Sequence, residues 1–204
     1  MKFLAKINRG AILTAIVLVG VAVYLVAHGI SQGITESRIR QICEDYVQAE
    51  VTFSMLPEEF RTEKPDMPVA LQAQYLQEMA SAMESYYVGN DLIDKFGIGR
   101  LRQELESQMG GRGTVYDFQK TIAKFESFKF ENGLVTVTMK VNTVFDGPAA
   151  DGATMSRQKT ISETTDIMIL QKENGLWKVF YASLVSPLQK NEITSGFPEA
   201  YGEY

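Results

Sequence analysis

Histidine, cysteine and tryptophan each occur once among the 204 residues, as His28, Cys43 and Trp177. A single cysteine permits no intramolecular disulfide and no cluster of thiolates around a metal. The single histidine lies in an apolar run. The polar remainder therefore offers no Ser–His–Asp triad, no Cys–His dyad and no histidine zinc site. Any enzyme built from this chain has to work with Asp, Glu, Lys, Tyr or Ser. The chain also has little positive charge outside its start. Lys2, Lys6 and Arg9 are three of the 20 basic residues, so 17 face 25 acids after Ile30, a net charge of −8. Such a surface suits neither nucleic acid nor broad contact with anionic lipid headgroups. No partner nucleic acid, cofactor or metal is expected.

Formal charge is also missing from Ala11–Ile30, twenty residues with His28 counted neutral. A helix of that length rises about 30 Å, the thickness of a bilayer's hydrocarbon core. The basic stub 1–10 before it predicts an N-terminus on the cytoplasmic side and the bulk of the chain outside. A cleaved signal peptide is the rival reading, with Ala27-His28-Gly29 as the cut site. The run is long for such a peptide, so an uncleaved single-pass anchor in the cell membrane is expected. His28 then sits at the outer interface. The first amphipathic helix starts close to Ile30, which places the domain near the membrane and favours partners in that membrane.

From Thr35 the pattern turns helical, with Ile39, Ile42, Cys43, Tyr46 and Val47 on one face. Residues 57–68 carry three prolines and six charges and read as a loop. Pro68 opens a second helix whose stripe is Leu71, Tyr75, Met79, Met83 and Tyr86/Tyr87, ended by Gly89-Asn90. A third helix spans roughly 91–109, interrupted at Gly97-Ile98-Gly99. Gly110-Gly111-Arg112-Gly113 reads as a turn, because no Gly-Lys-Ser/Thr follows that would complete a phosphate loop.

The period then changes to two. Strands are expected over 116–130, 134–145, 155–171 and 176–186. Asn132-Gly133 and Asn174-Gly175 mark two-residue hairpins, and 146–153 is a longer loop. Val135, Val137, Met139, Val141 and Phe145 form one face of the second strand. On the third strand Ile161, Thr165, Ile167 and Ile169 are expected inward. On the fourth, Trp177, Val179 and Tyr181 share a face. Residues 188–204 read as a flexible tail.

Three helices followed by a four-stranded antiparallel meander make an α+β domain over 31–187 whose sheet needs covering on one face. This order, closed by Asn174-Gly175-Leu176-Trp177-Lys178-Val179, resembles the nuclear-transport-factor-2-like (cystatin-like α+β) superfamily. The resemblance implies a curved sheet wrapped around helices as an open cone. With the stub and the anchor, the architecture also resembles inner-membrane assembly components of bacterial conjugation and type IV secretion channels. It implies a protein-interaction or assembly module in the cell envelope, binding other membrane or envelope proteins or itself.

Two alternatives stay open. A small apolar ligand could bind in the cone, with Tyr86, Tyr87, Trp177 and Tyr181 as candidate pocket residues. A histidine-independent enzyme would draw on Asp117 or Asp166. Asp117 alternates with Tyr116 and Phe118, and Asp166 with Thr165 and Ile167. Both are therefore expected on the solvent face, and a non-enzyme is the expected class.

Overall fold

The computed structural model describes residues 33–89, 97–148 and 157–183. The apolar run 11–30, the candidate cut site after Gly29, the tail 188–204 and most of the first half of the third predicted helix lie outside them. Among the described residues no helix is long and apolar enough to cross a membrane. The chain divides into two compact units, Met1–Gln41 and Ile42–Tyr204. The described part of the first is helical, with Ile39 buried. Everything below concerns the second.

The domain is α+β. Its elements are helix α1 (residues 33–53, of which 42–53 belong to this unit), α2 (Val69–Glu84) and α3 (Gly99–Met109), then strands β1 (Asp117–Glu131), β2 (Leu134–Pro148), β3 (Arg157–Glu173) and β4 (Leu176–Ala182). The strands form one antiparallel sheet in the order β1-β2-β3-β4. Asn132 and Asn174 take φ of 50°, and Gly133 and Gly175 take φ of 78° and 83°. Positive φ at both central positions is the geometry of two-residue hairpin turns, whose twist matches that of the strands.

α1 carries its buried side chains at Cys43, Tyr46, Val47 and Glu50, the three-four spacing of one helix face. Its exit is tied down by polar bonds. Buried Gln108 of α3 donates from Nε2 to the Ser54 carbonyl at 2.9 Å and accepts from the Val115 amide at 3.1 Å. Tyr75 of α2 donates to the Met55 carbonyl at 2.8 Å. Met55 then packs with Val115, Phe118 and Phe145, which places α1 on the sheet. Pro68 occupies the cap position of α2, and no side chain caps it. α2 ends at Glu84 and Tyr86–Val88 leave the helix. The Val88 amide donates to the Val179 carbonyl at 3.1 Å, and the Val179 amide to the Tyr86 carbonyl at 2.8 Å. The segment thereby adds a parallel bridge at the edge of β4. Gly110-Gly111-Arg112-Gly113 is a turn: Gly111 and Gly113 take φ of 69° and 100°, and a Cβ on Gly113 would meet Pro148 Cγ at 2.8 Å.

The second strand behaves as its alternation predicts, with Val135, Val137, Met139, Val141, Thr143 and Phe145 all buried. The third does not. Leu170, Met168 and Asp166 pair with Val135, Val137 and Met139 and are buried with them. Ile161 is 77% exposed and Ile167 38%. Thr165 is exposed and Ile169 half-buried. The expected inward row is therefore the outward row. The reason lies in the Asn174-Gly175 turn, which pairs Glu173 with Leu176 and so Leu170 with Val179. Once Val179 faces the core, Leu170 must, and parity carries that face to Met168 and Asp166. On β4 the register shifts after Val179, and Tyr181 pairs with Ile169 instead. This bulge breaks the alternation expected to keep Tyr181 on the face of Trp177 and Val179.

Candidate functional site

Where α1, α3 and the inner face of the sheet meet, the interior is ionic. Glu50 stands on the apolar stripe of α1, one turn after Tyr46, and is 1% exposed. Lys120 alternates with Phe118 on the inward parity of β1 and is 2% exposed. Its Nζ lies 3.1 Å from Glu50 Oε2. Arg100, in the first turn of α3, places Nη2 3.2 Å from Glu50 Oε1, and its Nε lies 3.9 Å from Glu104 one turn on. Each oxygen of Glu50 thus meets a different cation from a different element. A lone buried carboxylate would be strongly disfavoured; two charge-assisted bonds make it tolerable.

Two tyrosines border this cluster. The phenol oxygens of Tyr46 and Tyr87 are 2.5 Å apart and buried. The rings meet edge to face at 5.6 Å, and Tyr86 approaches Tyr46 similarly at 5.9 Å. Burial pushes the Tyr87 phenol up to about 12, with its hydrogen bond to Tyr46 opposing. Burial raises Tyr46 well above the ordinary tyrosine range, and Tyr87 and Glu50 add to it. Both are neutral hydrogen-bonding groups at any physiological pH. Gly97 packs against the Tyr87 ring so closely that a Cβ there would overlap the phenol.

Asp166 enters the same interior from β3, contrary to the solvent face expected for it. It is 4% exposed, and its Oδ1 has no hydrogen-bond partner. Desolvation raises its carboxyl above the usual range; the Lys120 charge and a hydrogen bond with Thr164 oppose that, and Glu50 adds to it. Lys120 and Asp166 are not in ion-pair contact: the ammonium is spent on Glu50. Asp117 lies on the parity opposite to buried Phe118 and Lys120. It is half-buried on β1 and takes bonds from Gln119 Nε2 at 3.2 Å to both oxygens.

The four aromatic residues named from sequence occupy different surroundings. Tyr87 is buried against Tyr46 and Tyr86 is half-buried beside it. Trp177 is half-buried and meets Phe130 at 6.5 Å, near the hairpin ends of the sheet. Tyr181 is half-buried opposite Ile169, with its phenol raised by burial. Tyr86 and Tyr87 both border Tyr46, and Trp177 meets Phe130. Among the described residues no group of three or more His, Cys, Asp or Glu side chains is placed to hold a metal ion.

Sequence reasoning passed over Glu50, Arg100 and Lys120. A signal existed for two of them. Glu50 extends the stripe Cys43, Tyr46, Val47 by one turn, and Lys120 falls on the parity of Phe118; a charge at a core position calls for a partner. Arg100 carries no such mark, because the polar helix around it offers charges on every side.

No family model and no curated protein matches this sequence. Among solved structures, the intermembrane space region of the chloroplast protein ARC6 aligns with 58% of this chain and 97% of that one, at 8% identity and a TM-score of 0.35. A likeness of that size assigns neither fold family nor function.

Proposed function

We propose that this chain is a single-pass membrane protein whose extracytoplasmic domain, of the nuclear-transport-factor-2-like type, is a protein-interaction or assembly module of the bacterial cell envelope. The observation that carries this reading is the outward row of β3. Ile161, Ile167 and Ile169 stand on the face of the sheet opposite α1, and two of them are well exposed. A strand that turns two isoleucines to water has a surface whose burial by a partner would be favourable, at about 25 cal/mol per Å² of apolar area. The uncharged run Ala11–Ile30 behind its basic stub supports the anchor and its orientation. The interior offers less to a small apolar ligand, because the buried Glu50–Lys120 pair makes part of it ionic.

The test is association in the native membrane. The full chain is cross-linked in cells, and its adducts are compared with those of Ile161→Lys/Ile167→Lys. Loss of a discrete adduct in the charged variant, at unchanged folding, is the expected result. Adducts indifferent to both lysines would remove the sheet face as the interaction surface. Protease access to the domain only from the outer side of intact spheroplasts is expected of the orientation; cleavage from the cytoplasmic side would overturn it.

A further inference from the structure

β4 is shorter than β3 and leaves the first half of β3 as an open edge. The ladder between them ends where Met168 pairs with Ala182. One residue further, the Ser183 amide donates to the Ile167 carbonyl at 2.8 Å, and the Ile167 amide donates to Ser183 Oγ at 2.8 Å. Both main-chain groups of Ile167 therefore point away from β2. Pairing with β2 runs from Arg157 to Gln171 without a register shift, so the main-chain groups of Thr165, Glu163, Ile161, Lys159 and Arg157 point to the same side. Among the described residues no strand pairs with them there. The midpoint of this open stretch, 157–165, is Ile161, the isoleucine that is 77% exposed. Lys159 and Glu163 flank it on the same outer face, and both are exposed.

We propose that this edge pairs with the same edge of a second copy of the chain, antiparallel about a two-fold axis at Ile161, joining the two sheets into one. The inference rests on the interaction-module reading and names its partner and surface. Charge complementarity selects the occupant. With the axis at Ile161, Ile161 meets Ile161, Lys159 meets Glu163 of the second copy, and Glu163 meets Lys159 of the second copy. These three residues turn their amides and carbonyls to the gap, so they also supply the ladder bonds. Opposite charges directly across a ladder favour the pairing. On the other face Thr160 meets Ser162 and Gln158 meets Thr164, with no charge among them. Moving the axis by one residue sets Ile161 against Lys159 or against Glu163. Charges that guard an open edge elsewhere here admit one register. Glu163 Oε1 accepts from Lys140 Nζ at 3.3 Å, and Oε2 serves the ammonium of the second copy. Arg157, held by Asp146 at 2.6 and 2.7 Å, closes one end of the stretch, and Ser183 closes the other.

The experiment is sedimentation equilibrium of the full chain in detergent, for the parent, Lys159→Glu and Glu163→Lys. The parent is expected to dimerise. Each variant alone sets like charges against each other at two cross-strand positions, and its dimer should dissociate about tenfold more readily. An equimolar mixture of the two variants restores both opposite pairs and should dimerise as tightly as the parent. Both side chains are exposed, so each variant keeps its fold, and mixing changes nothing within either chain. A monomeric parent overturns the second copy as the occupant. So does a dimer that neither variant weakens, or a mixture no tighter than the variants alone. Cross-linking of the unmodified chain in cells separates this failure from that of the interaction module. A discrete adduct of a mass other than two chains, beside a monomer in detergent, overturns the second copy and keeps the module. Neither adduct nor dimer overturns both.

Discussion

Replacing Lys120 with methionine tests the ionic interior most directly. The ammonium is 1% exposed and lies 3.1 Å from a carboxylate that is 2% exposed. At that distance, with an effective dielectric near 20, the pair attracts by about 5 kcal/mol. Desolvation of the ammonium offsets several of these, so the intact pair adds little net stability. Removing one partner is a different matter, because Glu50 keeps its charge and its burial. Such truncations cost about 3–5 kcal/mol. Here the lower end applies, since Arg100 still holds the other oxygen at 3.2 Å. We expect Lys120→Met to lose about 3 kcal/mol, a large part of a typical domain's stability. Adding Glu50→Gln removes the stranded charge, and the double variant should recover about 2 kcal/mol relative to the sum of the single variants. Urea unfolding of the detergent-solubilised chain, followed by the fluorescence of Trp177, reads both quantities at constant m. A Lys120→Met variant within about 0.5 kcal/mol of the parent would refute the buried pair. So would a double variant whose cost equals the sum of the two singles.

Other outcomes follow from the same geometry. Asp166→Asn should stabilise the domain near neutral pH and not in acid. A carboxyl raised by folding binds more protons in the folded chain, so the parent loses stability as pH rises from the unfolded value through the folded one, and the asparagine variant escapes that loss. Denaturation midpoints measured across pH check it, and a constant difference between the two proteins would contradict it. Tyr87→Phe strands the Tyr46 hydroxyl in the interior and should cost about 1–3 kcal/mol, read by thermal or urea unfolding. Leu170→Ala should cost about 2–5 kcal/mol, while Ile161→Ala should stay within about 0.5 kcal/mol of the parent. The reverse order would mean that β3 presents the other face. Spectrophotometric titration should show the phenols of Tyr75 and Tyr87 ionising only at about pH 12, because burial withdraws both from water.

The case of β3 shows how a strand can be found from sequence and still be assigned the wrong face. Between Thr160 and Gln171 the odd positions carry Ile161, Ile167 and Ile169, and the even positions carry Met168 and Leu170 with Ser162, Thr164 and Asp166. Composition favours the odd row. Pairing decides for the even one, because side-chain parity is inherited across a two-residue turn. The information was present in Asn174-Gly175 together with Val179, and could have been propagated strand to strand. The same inheritance would have moved Asp166 from the solvent face to the interior.

Local chemistry determined much of this protein before any coordinates. Helical spacing placed the stripe of α1, prolines ended and started helices, and Asn-Gly pairs set both hairpins, since each of these acts through neighbours in the chain. The alternation of β2 did the same for its buried row, which burial reproduces residue by residue. Only the tertiary structure decided what meets in the interior. Glu50, Arg100, Lys120 and Asp166 come from four elements spanning 116 residues of separation, 50 to 166. No local pattern couples charges that far apart. The pairing of Glu50 with Arg100 and Lys120 follows from the cost of an uncompensated ion in a closed interior, and that cost exists only once α1, α3 and the sheet have come together.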